Sequence, residues 1–340
     1  MSTGLTRREV MRSTLLVGAG LTGLGWRAGL ARAAQPTLPE LRVGWQAVSA
    51  NLPMPVAMLK GYDREFGFRI KRFFTLSGPQ LNEALAAGEI DAANMSAIAA
   101  LLSAARGLPV KLVVTRGHGG DINALMVRKG SQIRGLRELV GRKIALTVGS
   151  SAHQFVELAA RAEGLTLAQF TVQNMLLDAM PAALATGQVD AVAVWEPNIT
   201  SWAKKGVGEV ILRGGKYFRN HNAILLKDSI IKSQWELGYR FVLATLKAMH
   251  FIRTDRTGES MALGEQDLKI DRALLGESLK YSVMDPRMPR AFYEDLRVSL
   301  EFLERLGRLR RPIKLEEFVY EEYMARAQKE HPEFFSDLPA

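Results

Sequence analysis

Two adjacent hydroxyls, Ser150 and Ser151, stand where the sequence predicts a strand handing over to a helix. Residues 143–148 form a short apolar run between Gly141 and Gly149, the pattern of a buried strand. Residues 153–162 are good helix formers, with Phe155, Val156, Ala159 and Ala160 on one face and Gly164 placed to end the helix. Ser150 and Ser151 therefore fall at the cap and in the first turn. A helix start leaves its first amide N–H groups unpaired and carries a partial positive charge, so this junction can cradle an anion without spending a Lys or Arg. The same Ser150 also suits an ordinary helix cap. Catalytic chemistry finds little support. The five histidines show no metal-binding spacing, no Gly-x-Ser-x-Gly elbow surrounds Ser150, and no phosphate loop is present.

Strands alternate with helices on either side of this junction. Strands are expected over 41–47, 68–74, 90–95 and 110–115, then over 123–127, 143–148, 170–175 and 189–194, with one more at 223–226. Such alternation argues for βαβ units around largely parallel sheets. Residues 81–93, LNEALAAGEIDAA, and 180–192, MPAALATGQVDAV, share the order helix, Ala-x-Gly turn, Asp-Ala, strand, so one helix-turn-strand unit is expected in each of two α/β domains. Beyond Trp235 the chain reads as helical, with Phe241, Ala244, Ala248, Met249 and Ile252 on a buried stripe. A strandless tail cannot make its own α/β domain, so it is expected to return to the first. The expected domains are 34–127 with 223–340, and 128–222. Two crossings between them, near Val127 and Ala223, make a hinge.

The first residues stand apart. Arg7 and Arg8 precede an uncharged stretch over 13–25, and Ala31-Arg32-Ala33 offers a small-x-small cleavage site, which together predict a twin-arginine-type export leader over 1–33. The stretch is shorter than the roughly 20 apolar residues that span a bilayer, so no membrane anchor is expected after cleavage. Removing 1–33 lowers the formal charge from +10 to +6, and the remaining Lys and Arg are scattered, which argues against nucleic acid as a partner. The chain has no cysteine, excluding disulfides, thiolate chemistry and Cys-bound metal. No cofactor or metal is expected.

Five segments now stand together: RVGWQ at 42–46, SGPQ at 77–80, ALAAGEIDAA at 84–93, TVGSSAH at 147–153 and ALATGQVDAVAVWEP at 183–197. In order and spacing they resemble the periplasmic substrate-binding proteins of ABC importers for nitrate, taurine and aliphatic sulfonates. The resemblance implies a two-lobed α/β periplasmic binding protein fold of type II, a monomer in the periplasm that closes on a small anionic ligand and hands it to a membrane permease. A related family with the same fold binds pyrimidine precursors of thiamine; it would require more aromatic residues at the cleft than Trp45 and Trp195. An enzyme on the same fold is the remaining alternative.

Ligands of open α/β sheets sit beyond the carboxyl ends of the strands. That rule nominates Gln46 and Ser49 after the first strand, Ser77 and Gln80 at a helix start, and Ser96 after the third strand. In the second domain it nominates Ser150, Ser151, Trp195 and Glu196. Neutral amide and hydroxyl donors suit an anion that only accepts hydrogen bonds. Residues 94–98, Asn-Met-Ser-Ala-Ile, stand where the family often has Gly and then Pro, so Met95 and Ser96 reshape the expected pocket. His118, in a glycine-flanked loop, is a candidate pH-sensitive donor to the cleft.

Overall fold

The computed structural model describes residues 38–75, 77–309 and 311–339. The expected leader over 1–33 lies outside the described residues. From the first strand, β1 (Glu40–Gln46), the chain passes a short 3-10 turn (Ser49–Asn51) into α1 (Pro53–Leu59) and α2 (Tyr62–Glu65). It continues through β2 (Arg69–Thr75), α3 (Gly78–Ala87), β3 (Ala92–Ser96), α4 (Ala97–Ala105) and β4 (Val110–Gly119). A second series follows: β5 (Asn123–Arg128), β6 (Lys143–Leu146), α5 (Ser151–Ala162), β7 (Thr171–Asn174), α6 (Met180–Thr186), β8 (Ala191–Trp195), α7 (Asn198–Lys204) and β9 (Gly208–Arg213). After β10 (Asn220–Lys227) the chain is helical: α8 (Asp228–Ser233), α9 (Trp235–Thr254), α10 (Glu259–Leu268), α11 (Arg272–Leu279), α12 (Arg290–Arg305), α13 (Leu315–Phe318) and α14 (Glu322–Glu330).

The strands form two five-stranded sheets, ordered β2-β1-β3-β10-β4 and β7-β6-β8-β5-β9. In the first, β1 runs parallel to β2 and β3 while β10 is antiparallel to β3 and β4. In the second, β6 runs parallel to β7 and β8 while β5 is antiparallel to β8 and β9. The two sheets thus share one plan, and each takes its antiparallel strand from the far side of a crossing. The chain crosses between Gly119 and Asn123 and returns between Arg213 and Asn220, each a few residues before the positions expected at Val127 and Ala223. The offset has a simple cause. Residues 123–127 are as apolar as any central strand, and an apolar run does not name the sheet it will join.

The repeated Asp of the two matching segments has the same task in both sheets. Asp91 N–H donates to Arg42 O at 2.8 Å while its Oδ2 accepts from Arg42 N at 3.1 Å. Asp190 repeats the reciprocal pair on Lys143, at 2.9 Å in each direction. Each Asp therefore ties the start of a third strand to the start of the strand beside it. Asp91 adds a paired contact with the Arg42 guanidinium, Nε to Oδ2 at 2.8 Å and Nη2 to Oδ1 at 2.6 Å.

Both faces of the first sheet are covered, as largely parallel sheets require. Leu41, Val43 and Trp45 pack with Val56 of α1 and with Phe241 and Ala244 of α9. On the other face Ala93 and Met95 pack with α4 and with Phe292, Leu296 and Phe302 of α12. A Cβ at Gly44 would lie 2.5 Å from Leu81 Cδ2, so this glycine is what lets α3 lie against β1. The helical tail holds to the first sheet, where Tyr320 N–H donates to Leu112 O at 2.8 Å. The second sheet builds its own core from Leu125, Ile144, Leu146, Phe155 and Ala159 on one face and Met126, Met180, Leu184 and Val192 on the other.

Candidate functional site

A narrow cleft lies where strand ends of both sheets meet. Beyond β1 it is lined by Gln46 and by residues 48–51. Gly78 and Pro79 come from the start of α3, and Met95, Ser96 and Ala99 from the passage between β3 and α4. The second series contributes Ser150, Ser151, Trp195 and Glu196. Arg116, Ile122, Asn220 and Asn222 come from the strands and links that cross between the sheets, and Ser282 completes the wall.

Seven of the nine residues nominated from sequence line this cleft: Gln46, Ser49, Ser96, Ser150, Ser151, Trp195 and Glu196. Ser77 and Gln80 do not. They form a capping box at the start of α3, in which Gln80 Oε1 accepts from Ser77 N–H at 3.1 Å. Their polar atoms serve the helix end, and it is the next two residues, Gly78 and Pro79, that reach the cleft. Trp45 is also absent from the wall. Its ring is fully buried under the first sheet, with Nε1 donating to Asp267 Oδ2 at 3.3 Å. His118 lies away from the cleft too, bridged through its backbone to Val283 with its ring 5.3 Å from that of His221. Burial first, and then the neighbouring His221 and Arg219, hold its pKa below the usual histidine value.

The junction before α5 has the geometry the sequence suggested. Gly149 adopts φ +83°, and Ser150 is an extended cap whose Oγ accepts from His153 N at 3.4 Å. Ser151 Oγ accepts from Asn123 Nδ2 at 3.0 Å. Each oxygen accepts a bond from the protein, which leaves its O–H to be donated.

Glu196 is buried, and its carboxylate is spoken for. Oε2 accepts from Thr200 N at 3.1 Å, while Oε1 accepts from Thr200 Oγ1 at 3.0 Å and from Arg213 Nη1 at 3.1 Å. Arg213 in turn donates to Asp121 O at 2.6 Å and lies 3.9 Å over the Tyr281 ring. Burial outweighs these partners and holds the Glu196 pKa above the ordinary carboxylate value.

Sequence reasoning missed the polar wall residues Asn51, Asn220, Asn222 and Ser282 and, of most consequence, Arg116. It is 3% exposed on β4, its Nη1 donates to Ala50 O, and its Nε has no partner. Among the described residues no carboxylate pairs with it. Burial alone pulls its pKa down to about 9, so the group remains a cation at neutral pH. A buried cation without a carboxylate is costly unless something anionic meets it. Nothing local in the sequence marks Arg116: it follows the apolar run over 110–115, where the strand was expected to end, and β4 continues past it to Gly119.

A family model described as NMT1/THI5 like matches residues 50–256, more than half of the chain. The chain belongs to the NMT1/THI5-like family. Among relatives of this NMT1/THI5-like chain, a protein of Escherichia coli (strain K12) assigned as an aliphatic sulfonates-binding protein is 25% identical over 248 residues. That match covers 73% of this chain and 77% of the relative. Of solved structures, the alkanesulfonate-binding protein SsuA from Xanthomonas axonopodis pv. citri, bound to MOPS, aligns with a TM-score of 0.73 at 22% identity, over 84% of this chain and 99% of that one. The periplasmic nitrate-binding protein NrtA from Synechocystis PCC 6803 aligns with a TM-score of 0.71 at 15% identity, over 86% and 89%. The fold of the NMT1/THI5-like chain is therefore that of the periplasmic binding proteins.

Proposed function

We propose that this NMT1/THI5-like chain is the solute-binding component of an ABC importer, taking a small oxyanion of the aliphatic sulfonate, taurine or nitrate class. The observation that carries the reading is Arg116, a buried guanidinium on the cleft wall with no carboxylate partner among the described residues. An oxyanion there would offset its charge and accept hydrogen bonds from the guanidinium. Ser150 and Ser151 would add hydroxyl donors from the helix start, and Met95, Ile122 and Trp195 would wall an apolar tail. The named relatives bind ligands of this class, which supports the reading.

Binding would draw two lobes together, one built on each sheet, about the crossings before β5 and β10. The cleft takes residues from both sheets, so a ligand can hold them closed. The protein would act as a monomer in the periplasm, after loss of residues 1–33, and deliver its ligand to a membrane permease. Binding rather than catalysis fits the hydroxyls. Neither Ser150 nor Ser151 is hydrogen-bonded to a histidine side chain or a carboxylate, and the His153 ring nitrogen Nδ1 accepts from Gly149 N at 3.3 Å. The thiamine-precursor reading fits the cleft less well, since Trp195 is its one aromatic ring among the described residues.

Thermal-shift titration of the purified protein with ethanesulfonate, taurine and nitrate tests the reading. A ligand at about 100 times its Kd stabilises the folded state by roughly 2.7 kcal/mol. Absence of any shift across small oxyanions overturns it.

A further inference from the structure

Ser150 and Ser151 reach the cleft through a turn that one side chain grips twice. Gly149 N–H donates to the His153 ring Nδ1 at 3.3 Å, and His153 N–H donates to Ser150 Oγ at 3.4 Å. A backbone N–H can only donate, so Nδ1 is the acceptor nitrogen of a neutral ring and the proton sits on Nε2. The ring is buried and meets Phe302 of α12 edge-on, with centres 5.2 Å apart. Of the elements packed against α5, α12 and the turn after it bring Arg305, which pairs with Glu157, and Arg308, whose charge acts on the ring. Among the described residues β5, β8 and α4 bring no charged group to it.

We infer that His153 is a positioning residue for the ligand: its neutral ring holds the Gly149–Ser151 turn in the course that presents both hydroxyls to the anion. The inference rests on the anion reading of the cleft. His153 does not itself line the cleft, so it acts through the turn. Gln80 performs a related task at the start of α3, where its Oε1 accepts from Ser77 N–H and nothing titrates. A histidine in the supporting place makes the support sensitive to protonation. A proton on Nδ1 would set a donor against the Gly149 donor and push the turn off its course. The added positive charge would also draw an anion, an effect of opposite sign. Misplacement prevails, because the hydrogen bond is direct while the ring lies off the cleft wall.

Calorimetric titrations with ethanesulfonate, taurine and nitrate on the parent, His153→Asn and His153→Leu test this, at pH 7 and in steps down to about pH 3.5. Circular dichroism at each step reports the fold. The anionic group of each probe stays ionised over that range, so a pH effect belongs to the protein. At pH 7 His153→Leu should bind about 3- to 10-fold more weakly than the parent, the ratio one neutral hydrogen bond supplies. His153→Asn, whose Oδ1 can accept from Gly149, should bind within about twofold of the parent. Burial first, and then Arg308, bring the ring's pKa down to about 4. The parent should therefore lose about threefold in affinity relative to His153→Asn near pH 3.5, as its competent fraction falls. If His153→Leu does not fold, the pH comparison of the parent with His153→Asn decides; if the parent unfolds in acid, the comparison of the two variants at pH 7 decides. Parent-like binding by His153→Leu overturns the inference, as does an acid response shared equally by the parent and His153→Asn, or a parent affinity that rises in acid. Each of these leaves the anion reading standing. Binding of none of the three probes by the parent at pH 7 overturns both.

Discussion

Glu157, in the second turn of α5, and Arg305, at the end of α12, form a two-point ion pair, with Nε to Oε1 at 2.8 Å and Nη2 to Oε2 at 3.2 Å. The pair joins the core of the second sheet to the core of the first. The same two helices share a bond from Gln154 Nε2 to Ser299 Oγ at 2.9 Å and an edge-on contact of His153 with Phe302, ring centres 5.2 Å apart. Because the first turn of α5 carries Ser150 and Ser151 into the cleft, one rigid helix bears both the cleft hydroxyls and the contact that holds the sheets' helices together.

Arg305→Ala should therefore weaken ligand binding without touching the cleft. The pair bridges helices of the two sheets, so its loss should favour an arrangement with them farther apart, and the apparent affinity falls with the closed fraction. A drop of up to about 5-fold is expected, the size of a partly exposed ion pair. Solution scattering on the ligand-free variant should give a larger radius of gyration. Unchanged affinity together with unchanged scattering would assign the pair a purely structural role.

Arg116→Gln should separate binding from stability. A hydrogen bond to a charged group contributes about 1.5–3 kcal/mol, so anion affinity should fall by roughly 10- to 100-fold or more. The ligand-free variant should melt no lower than the parent, because the change removes a buried cation that has no carboxylate partner among the described residues. Calorimetry and a melting curve on one preparation read both quantities. A variant that melts lower yet binds normally would mean that Arg116 supports the backbone at Ala50 and nothing more.

Glu196→Gln should affect taurine and ethanesulfonate alike. The Glu196 carboxylate faces Thr200 and Arg213, so no charge is left over for a ligand ammonium. Gln keeps an acceptor for Thr200 but gives up the charge opposite Arg213, and a stability loss of about 1–3 kcal/mol is expected. Selective loss of taurine binding would return Glu196 to the ligand.

Stability should decline with acid through the titration of His153. Burial first, and then Arg308, push its pKa from 6.5 down to about 4 in the folded chain. Between those values the unfolded chain holds a proton that the folded chain does not, so unfolding is favoured as the pH falls through that window. The loss approaches about 1.4 kcal/mol per pH unit, and about 3 kcal/mol in all. Denaturant unfolding of the parent and of His153→Gln at pH 7 and about pH 4.5 measures the difference. Equal pH dependence in the two proteins would show that other groups carry the acid response.

Much of the architecture was legible because it is written in local patterns. Apolar runs bounded by glycine gave β6 and β8, helix formers gave α5, and the twin segments at 81–93 and 180–192 marked equivalent units of two sheets built to one plan. Seven nominated residues reach the cleft for the same reason: the end of a strand and the start of the next helix can be read within a few residues, and such junctions collect at one edge of a sheet. Ser77 and Gln80 mark the limit of that rule. A helix start consumes polar side chains in its own capping, and only the backbone course shows which neighbour is left to face the cleft.

The sequence by itself determined the alternation of strands and helices, the helical tail and the strand-Gly-Ser-Ser-helix junction, because each depends on interactions between residues close in the chain. Tertiary structure decided which sheet β5 and β10 would join, through hydrogen bonds to strands distant in sequence. It also decided the charge of the site. Whether an arginine is a solvated end of a strand or an unpaired cation on a cleft wall depends on what surrounds it, and the surroundings of Arg116 come from residue 50 and from the crossings between the sheets, not from its neighbours in sequence. Glu196 follows the same logic in reverse: Arg213, seventeen residues away, claims the carboxylate that sequence had left open for the ligand.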